Sequence, residues 1–436
     1  MEKITIVDSI MGSGKTSAML NYINSTPEKS YIYVTPFLDE VDRVIHATRG
    51  RFRQPHPYGK SKIEALHDLL ASGADIATTH ALFWMVTPEI IQLIHEGQYT
   101  LILDEELETL RKYNDVVSNM GDKAVSAKTV AWLIGKGYLS INPENYQVEW
   151  HDTWPEDYCF FEIGRLAKDG CLRCIDNTLY CEYPIEAITA FENVFVLTYL
   201  FEGSALAAYL KTHGLSYTKM SASNEGQASR LCPYNDGAEI RAAIASLINI
   251  YDGHLNYLGN KVNAFSVTWL EERSKKEIEQ IKNAMRSYRR FVGATTSTNV
   301  MWTTIKKKGT HEKLEKTRGF KYIRPLSSDE AKLPDAEKEK RLAKVRCFVP
   351  CNARATNNYK DRTILMYLIN RYPQPNIEKY YSRLGYSVNE EVFALSEMIQ
   401  WIWRSAIREG KPINIFIPSS RMRRLLKTWL AGGMWH

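Results

Sequence analysis

The stretch IVDSIMGSGKTSAML, residues 6–20, limits what this chain can be more than any other feature. An apolar run from Ile4 to Val7 enters Gly12-Ser13-Gly14-Lys15-Thr16, and a helix-compatible segment, Ser17 to Ile23, follows. The order is strand, glycine loop, helix. Glycines let the backbone curl with its N–H groups inward, and the helix adds its positive N-terminal end, so such a loop cradles phosphate. Gly12, Ser13, Gly14, Lys15, Thr16 and Ser17 are therefore candidate nucleotide contacts. Lys15 is expected to reach the outer phosphates and the Thr16 hydroxyl to hold Mg²⁺. The P-loop pattern G-x-x-x-x-G-K-[ST] begins with glycine, where this chain has Ser9.

Behind the loop, apolar strands alternate with helical patterns. SYIYVTPF (30–37) precedes LDEVDRVIHAT, ADIATTHALF (74–83) repeats the arrangement, and TLILDEELETL (100–110) is an apolar strand ending in acids. VFVLTYLFEGSALAAYL (194–210) reads as a later strand and helix of the same unit. Such alternation predicts an α/β fold with a parallel, doubly wound sheet, whose ligands sit at the carboxyl ends of its strands. Residues 111–190 lack this rhythm and read as an insertion. A second α/β unit is expected from about residue 240, with strands in KVNAFSVTWL (261–270), VRCFVPCNARATNNY (345–359) and INIFIPSS (413–420). The charged stretch 327–344 reads as a solvated loop or helix.

The acidic strand end gives the glycine loop its meaning. LILDEE puts Asp104 and Glu105 at the tip of an apolar strand, on the ligand side of the sheet. A nucleotide's Mg²⁺ needs a carboxylate near the phosphates, which suits Asp104. Hydrolysis needs a group to orient and deprotonate water, which suits Glu105. Together the two motifs predict a nucleotide hydrolase.

Composition excludes more than it selects. A chain of 436 residues with 44% hydrophobic and 24% charged residues has room for two or three globular domains. Its net charge of +6 is compatible with a polyanionic partner without requiring one. No run of about 18 apolar residues is present, so no membrane association is expected. The start lacks a signal-peptide pattern, and the seven cysteines read as reduced thiols, so the expected location is the cytoplasm.

Taken in order, the motifs resemble those of superfamily 2 (DEAD/DEAH-like) helicases, particularly the phage-encoded type. MGSGKT resembles motif I and DEEL (104–107) motif II. VTPFLDEVDR (34–43) resembles motif Ia, and TTHALF (78–83) the nucleic-acid-contacting motif that follows it. LTYLFEGS (197–204), FSVTWL (265–270), NARATNNY (352–359) and QWIWRSAIR (400–408) resemble motifs III, IV, V and VI. Many helicases share the small residue at the first P-loop position. The resemblance implies two RecA-like domains with parallel sheets, residues 1–240 (insertion at about 111–190) and 241–436. It implies ATP and Mg²⁺ as cofactors, the latter held by Thr16 and Asp104, with Lys15 and Glu105 catalytic. Thr35, Thr78 and Thr79 would hold strand phosphates, which positions nucleic acid without reading its sequence.

Motif VI implies a further catalytic group. At four-residue spacing, Gln400, Arg404 and Arg408 would share one helical face, from which arginine can stabilise transition-state charge on the phosphates. The usual pattern Q-x-x-G-R-x-G-R spaces its arginines by three, so which arginine acts is left open. The same residues also fit an amphipathic helix whose arginines face water. The expected partner is single-stranded or tailed duplex nucleic acid, DNA before RNA, in phage replication or recombination and alongside proteins of those processes; the location would then be the host cytoplasm. Two alternatives stand beside this reading: a terminase-like phage packaging ATPase, and a nucleotide-gated binding protein that switches without unwinding. Cys159, Cys171, Cys174 and Cys181 in the insertion allow a zinc knuckle or a plain hairpin.

Overall fold

Strands buried on both faces need helices on both sides, and the first half of the chain supplies them. The computed structural model describes residues 2–433, apart from residues 57, 60, 121–123, 153–158, 225–227, 295–297, 352–357, and all of 307–346 except 313–314, 317, 332–334 and 337. Strand β1 (Ile4–Asp8) leads through the glycine loop into helix α1 (Lys15–Ser25). Strands β2 (Tyr31–Thr35), β3 (Ile76–Thr79) and β4 (Thr100–Asp104) follow, each after a helix. Along β2 and β4 alternate residues enter opposite cores. Ile32, Val34, Leu101 and Leu103 pack on one face, while Tyr31, Tyr33 and Ile102 pack on the other.

The insertion lies between β4 and the next strand of this sheet. It contains β5 (Leu110–Lys112), β6 (Leu139–Ile141), β7 (Val148–Trp150), β8 (Leu172–Ile175) and β9 (Thr178–Glu182). These form an antiparallel sheet in the order β5-β9-β8 and a β6-β7 pair over their own apolar cluster. Asp176 and Asn177 turn β8 into β9 with φ of 48° and 56°, the left-handed pair that a two-residue hairpin requires. This cysteine-bearing segment is thus a hairpin, as one of its two readings expects.

The main sheet resumes with β10 (Asn193–Thr198), β11 (Thr218–Ser223) and β12 (Arg230–Pro233). Its order is β12-β11-β1-β10-β4-β2-β3, parallel throughout except for β12 against β11. The loops after β1, β10 and β4 consequently emerge side by side at the carboxyl edge.

The chain divides into two units. One comprises Met1–Ser9, Ser13–Tyr234 and Gln374–Val388; the other comprises Ile10–Gly12, Asn235–Pro373 and Asn389–His436. The sequence reading assigned all of 241–436 to the second domain, yet Gln374–Val388 returns to the first unit. Its helix, Pro375–Arg383, buries Tyr380 and Tyr381 there; Tyr380 bonds Glu182 at 2.8 Å and Tyr381 bonds Thr109 at 3.0 Å.

The second unit has a parallel sheet of β13 (Ile248–Ile250), β14 (Val300–Thr303), β15 (Ile364–Tyr367) and β16 (Ile413–Phe416), ordered β13-β16-β15-β14. The helix Lys275–Phe291 starts at a Ser274–Glu277 capping box. Two expected strands are corrected. Residues 262–265 form turns, and Ser266 caps a short helix, Val267–Glu271, whose serine start outweighs the β-branched residues after it. Among the described residues of 345–359, Phe348 makes an isolated bridge to Trp302, and a regular strand comes later, at β15. Most of the motif V segment, 352–357, and most of the charged 327–344 stretch lie outside the described residues.

Candidate active site

Gly14, with φ of 84°, is the N-cap of α1 and has no side chain to place over the helix N-terminus, the end that favours an anion. Gly12 also has positive φ, 82°. A Cβ on Gly14 would stand 2.0 Å from Asn224 Oδ1, so a larger residue would have to displace that side chain as well as bear the positive φ. The Ser13 hydroxyl is buried with no hydrogen-bond partner among the described residues, an orphan that a phosphate oxygen would satisfy. Ser17 is exposed on the first turn of the helix.

Ser9 has a structural task of its own. Its N–H donates to the Thr198 carbonyl at 3.1 Å, and its hydroxyl accepts from Ala222 N at 2.9 Å, fastening the loop's entry between β10 and β11. Its carbonyl accepts from Lys15 Nζ. Asp8, Asp104 and Glu105 face the Lys15 ammonium, but burial outweighs their pull and lowers it to about 8. Burial likewise raises the Asp8 carboxyl above its ordinary value, although the amides of Leu200 and Phe201 donate to it at 2.8 and 3.2 Å.

The P-loop and the acidic strand end meet. Thr16 Oγ1 donates to Asp104 Oδ2 at 3.1 Å, which turns the hydroxyl lone pairs away from the carboxylate and frees them for a cation. Tyr33 Oη donates to the same oxygen at 2.7 Å. Glu105 sits at φ 71°, a left-handed conformation unusual for glutamate, with its N–H on the Leu197 carbonyl at 3.1 Å. Thr198 Oγ1 donates to Glu106 Oε1 at 2.9 Å, joining the acidic run to the segment read as motif III. This donor set suits Mg²⁺, which takes one or two protein oxygens and completes its shell with phosphates and water. Among the described residues no group of three or more His, Cys, Asp or Glu side chains is placed to hold a metal, and the insertion cysteines are free thiols.

The three threonines expected to touch strand phosphates lie at the carboxyl ends of β2 and β3. Thr35 and Thr78 are 1% and 2% exposed, inside the sheet, and Thr79 caps the short helix His80–Phe83 by accepting from Leu82 N. The single helical face for Gln400, Arg404 and Arg408 is corrected. The helix Glu390–Ile402 stops there because Ser405 turns the chain, donating to the Ile402 carbonyl and accepting from Ile407 N. Gln400 bonds Ser396 within the helix, Arg404 is buried in the turn, and Arg408 is exposed on the 3₁₀ turn Ala406–Glu409. Sequence reasoning missed Asp8, although an acid directly ahead of the glycine loop is a visible signal, and it missed Tyr33, which reads as ordinary core.

Comparison with known proteins adds a family and a fold. Over residues 242–430 the chain matches the family described as the YonV C-terminal Rossmann-like domain. It is 33% identical over 447 residues to the SPbeta prophage-derived uncharacterized protein YonV of Bacillus subtilis, with 99% of each chain covered. The chain belongs to the YonV family. Among solved structures, this YonV-family chain is similar to an XPD helicase at a TM-score of 0.53 and 12% identity, covering 99% of this chain and 95% of that one. An apo XPD gives 0.52 and 13%, with 97% and 95% covered, and S. tokodaii Xpd4 gives 0.50 and 12%, with 100% and 95% covered. The fold is thus α/β and XPD-helicase-like, consistent with two RecA-like domains. No helix among the described residues is long and apolar enough to cross a membrane.

Proposed function

We propose that this chain is an ATP-dependent nucleic-acid helicase or translocase, with DNA as the first substrate to test. The observation that carries the reading is the contact between the two nucleotide motifs, Thr16 Oγ1 on Asp104 Oδ2 at 3.1 Å, in the first turn of α1. Gly12, Ser13, Gly14, Lys15 and Ser17 would bind the phosphates. Thr16, and Asp104 through water, would hold Mg²⁺, which neutralises charge developing on the transferred phosphoryl group. Glu105, held by its strained backbone at the strand tip, would orient and deprotonate the attacking water. Arg404 and Arg408 are the candidates for a transition-state arginine, with Gln400 beside them in sequence. The fold of XPD-like helicases and the prophage-derived relative support a nucleic-acid role in a phage setting.

Phosphate release with ATP and Mg²⁺, alongside binding of a fluorescent ATP analogue, tests the assignment. The parent chain is expected to bind and hydrolyse, Lys15→Ala to lose binding, and Glu105→Gln to bind without turnover. A parent chain that neither binds nor hydrolyses nucleotide would end the proposal.

A further inference from the structure

We infer that Tyr33 is a positioning residue that holds Asp104 in the orientation needed to receive the nucleotide's divalent cation; the inference rests on the nucleotide-hydrolase reading above. Tyr33 stands in the middle of β2, beside Ile102 of β4, and is fully buried. The strand therefore fixes where its hydroxyl points. That hydroxyl donates to Asp104 Oδ2 at 2.7 Å, and Thr16 Oγ1 reaches the same oxygen at 3.1 Å. Two donors on one carboxylate oxygen leave the other oxygen, Oδ1, to accept from the water shell of a cation. They also set the carboxylate plane, because a group gripped at one oxygen by two neighbouring elements cannot spin about its terminal bond. Burial and the neighbouring Asp104 charge hold the phenol well above its ordinary pKa, so it remains a donor at any physiological pH.

The two hydroxyls divide the work. Thr16 has a single proton, and giving it to Asp104 commits the hydroxyl to face the cation with its lone pairs. Tyr33 has no access to the cation and serves Asp104 alone. Groups that hydrogen-bond a ligand from behind typically alter metal affinity about 10- to 100-fold when removed. The neighbouring Tyr31 supplies a matched control. It is buried on the same strand, and its hydroxyl is bonded to Thr26 rather than to the site.

The experiment compares the parent chain, Tyr33→Phe and Tyr31→Phe in a Mg²⁺ titration of fluorescent, non-hydrolysable ATP-analogue binding, with a parallel Mn²⁺ titration read by electron paramagnetic resonance. Tyr33→Phe is expected to raise the half-saturating Mg²⁺ and Mn²⁺ concentrations about tenfold or more, while analogue affinity in EDTA stays at the parent value. Tyr31→Phe is expected to change neither. Unchanged cation affinity in Tyr33→Phe overturns the inference. So does an equal loss of affinity in EDTA, which would make the role one of packing. A parent chain that binds no nucleotide overturns the underlying reading, and this inference with it.

Discussion

Replacing Glu105 by glycine should leave the protein more stable than replacing it by glutamine, and both changes should cripple turnover. Glu105 is held at φ 71° at the tip of β4. A side-chain-bearing residue in that region costs about 1–2 kcal/mol relative to glycine. Glycine in turn loses roughly 0.5–1 kcal/mol through its greater freedom in the unfolded chain. The balance favours glycine by about 0.5–1 kcal/mol, or about 1–4 °C in the melting of a domain this size. Removing the carboxylate also removes its attraction to Lys15 and its proximity to other acids, so the parent is a poor reference. Glu105→Gln removes the same charge and keeps the strained backbone. The difference between the two variants therefore isolates the strain. Differential scanning calorimetry without nucleotide should place the first-unit transition of Glu105→Gly above that of Glu105→Gln. Phosphate release should fall about 10²- to 10⁴-fold in both. A glycine variant that melts below the glutamine variant would refute the strain argument, and one that turns over at the parent rate would refute the base assignment.

Gly14→Ala should weaken nucleotide binding more than tenfold in a fluorescence titration, because the new Cβ meets Asn224 Oδ1 at 2.0 Å and φ is 84°. Within the insertion, Glu182 is 2% exposed and pairs with Arg173 at 2.6 Å. Burial alone would raise its carboxyl, but the facing His213 and Arg173 overcome this and hold it below its ordinary 4.5. Its stabilising contribution is thus complete above about pH 4.5 and is lost as pH falls through the lower folded value. Glu182→Gln should cost about 3–5 kcal/mol at neutral pH and flatten this acid limb in thermal melts recorded from pH 3 to 7. Of the two candidate arginines, the one that acts on the transition state should lose about 10³-fold in kcat on change to alanine, with nucleotide affinity little altered. Steady-state kinetics of Arg404→Ala and Arg408→Ala decide between them, and parent-like rates in both would remove motif VI from the account.

Much of the first unit was legible because its signals are local. The glycine loop, the acid-tipped strand and the alternating apolar runs each depend on a few consecutive residues, and β1, α1, β2, β3, β4 and β10 follow them. The site's supporting groups were not legible. Tyr33 looks like any core tyrosine until β2 is laid beside β4 and its hydroxyl meets Asp104. Helical periodicity misled at 400–408, where the spacing of arginines outweighed the turn that Ser405 imposes. An apolar, β-branched run misled at 265–270, where a serine cap starts a short helix instead of a strand. The return of Gln374–Val388 to the first unit leaves no local trace, since it depends on Tyr380 and Tyr381 meeting residues some two hundred or more positions earlier.

The central claim is that nucleotide turnover in this YonV-family chain is coupled to nucleic acid. The most direct measurement is the ATP hydrolysis rate with and without single-stranded DNA or RNA, paired with strand displacement on tailed duplexes of each. Stimulation by homopolymers and mixed sequences alike, declining steeply with salt, is the predicted result, because backbone contacts carry no base information and release counterions. Hydrolysis indifferent to both polymers, with no duplex separated, would contradict the account and leave a nucleotide-gated switch in its place.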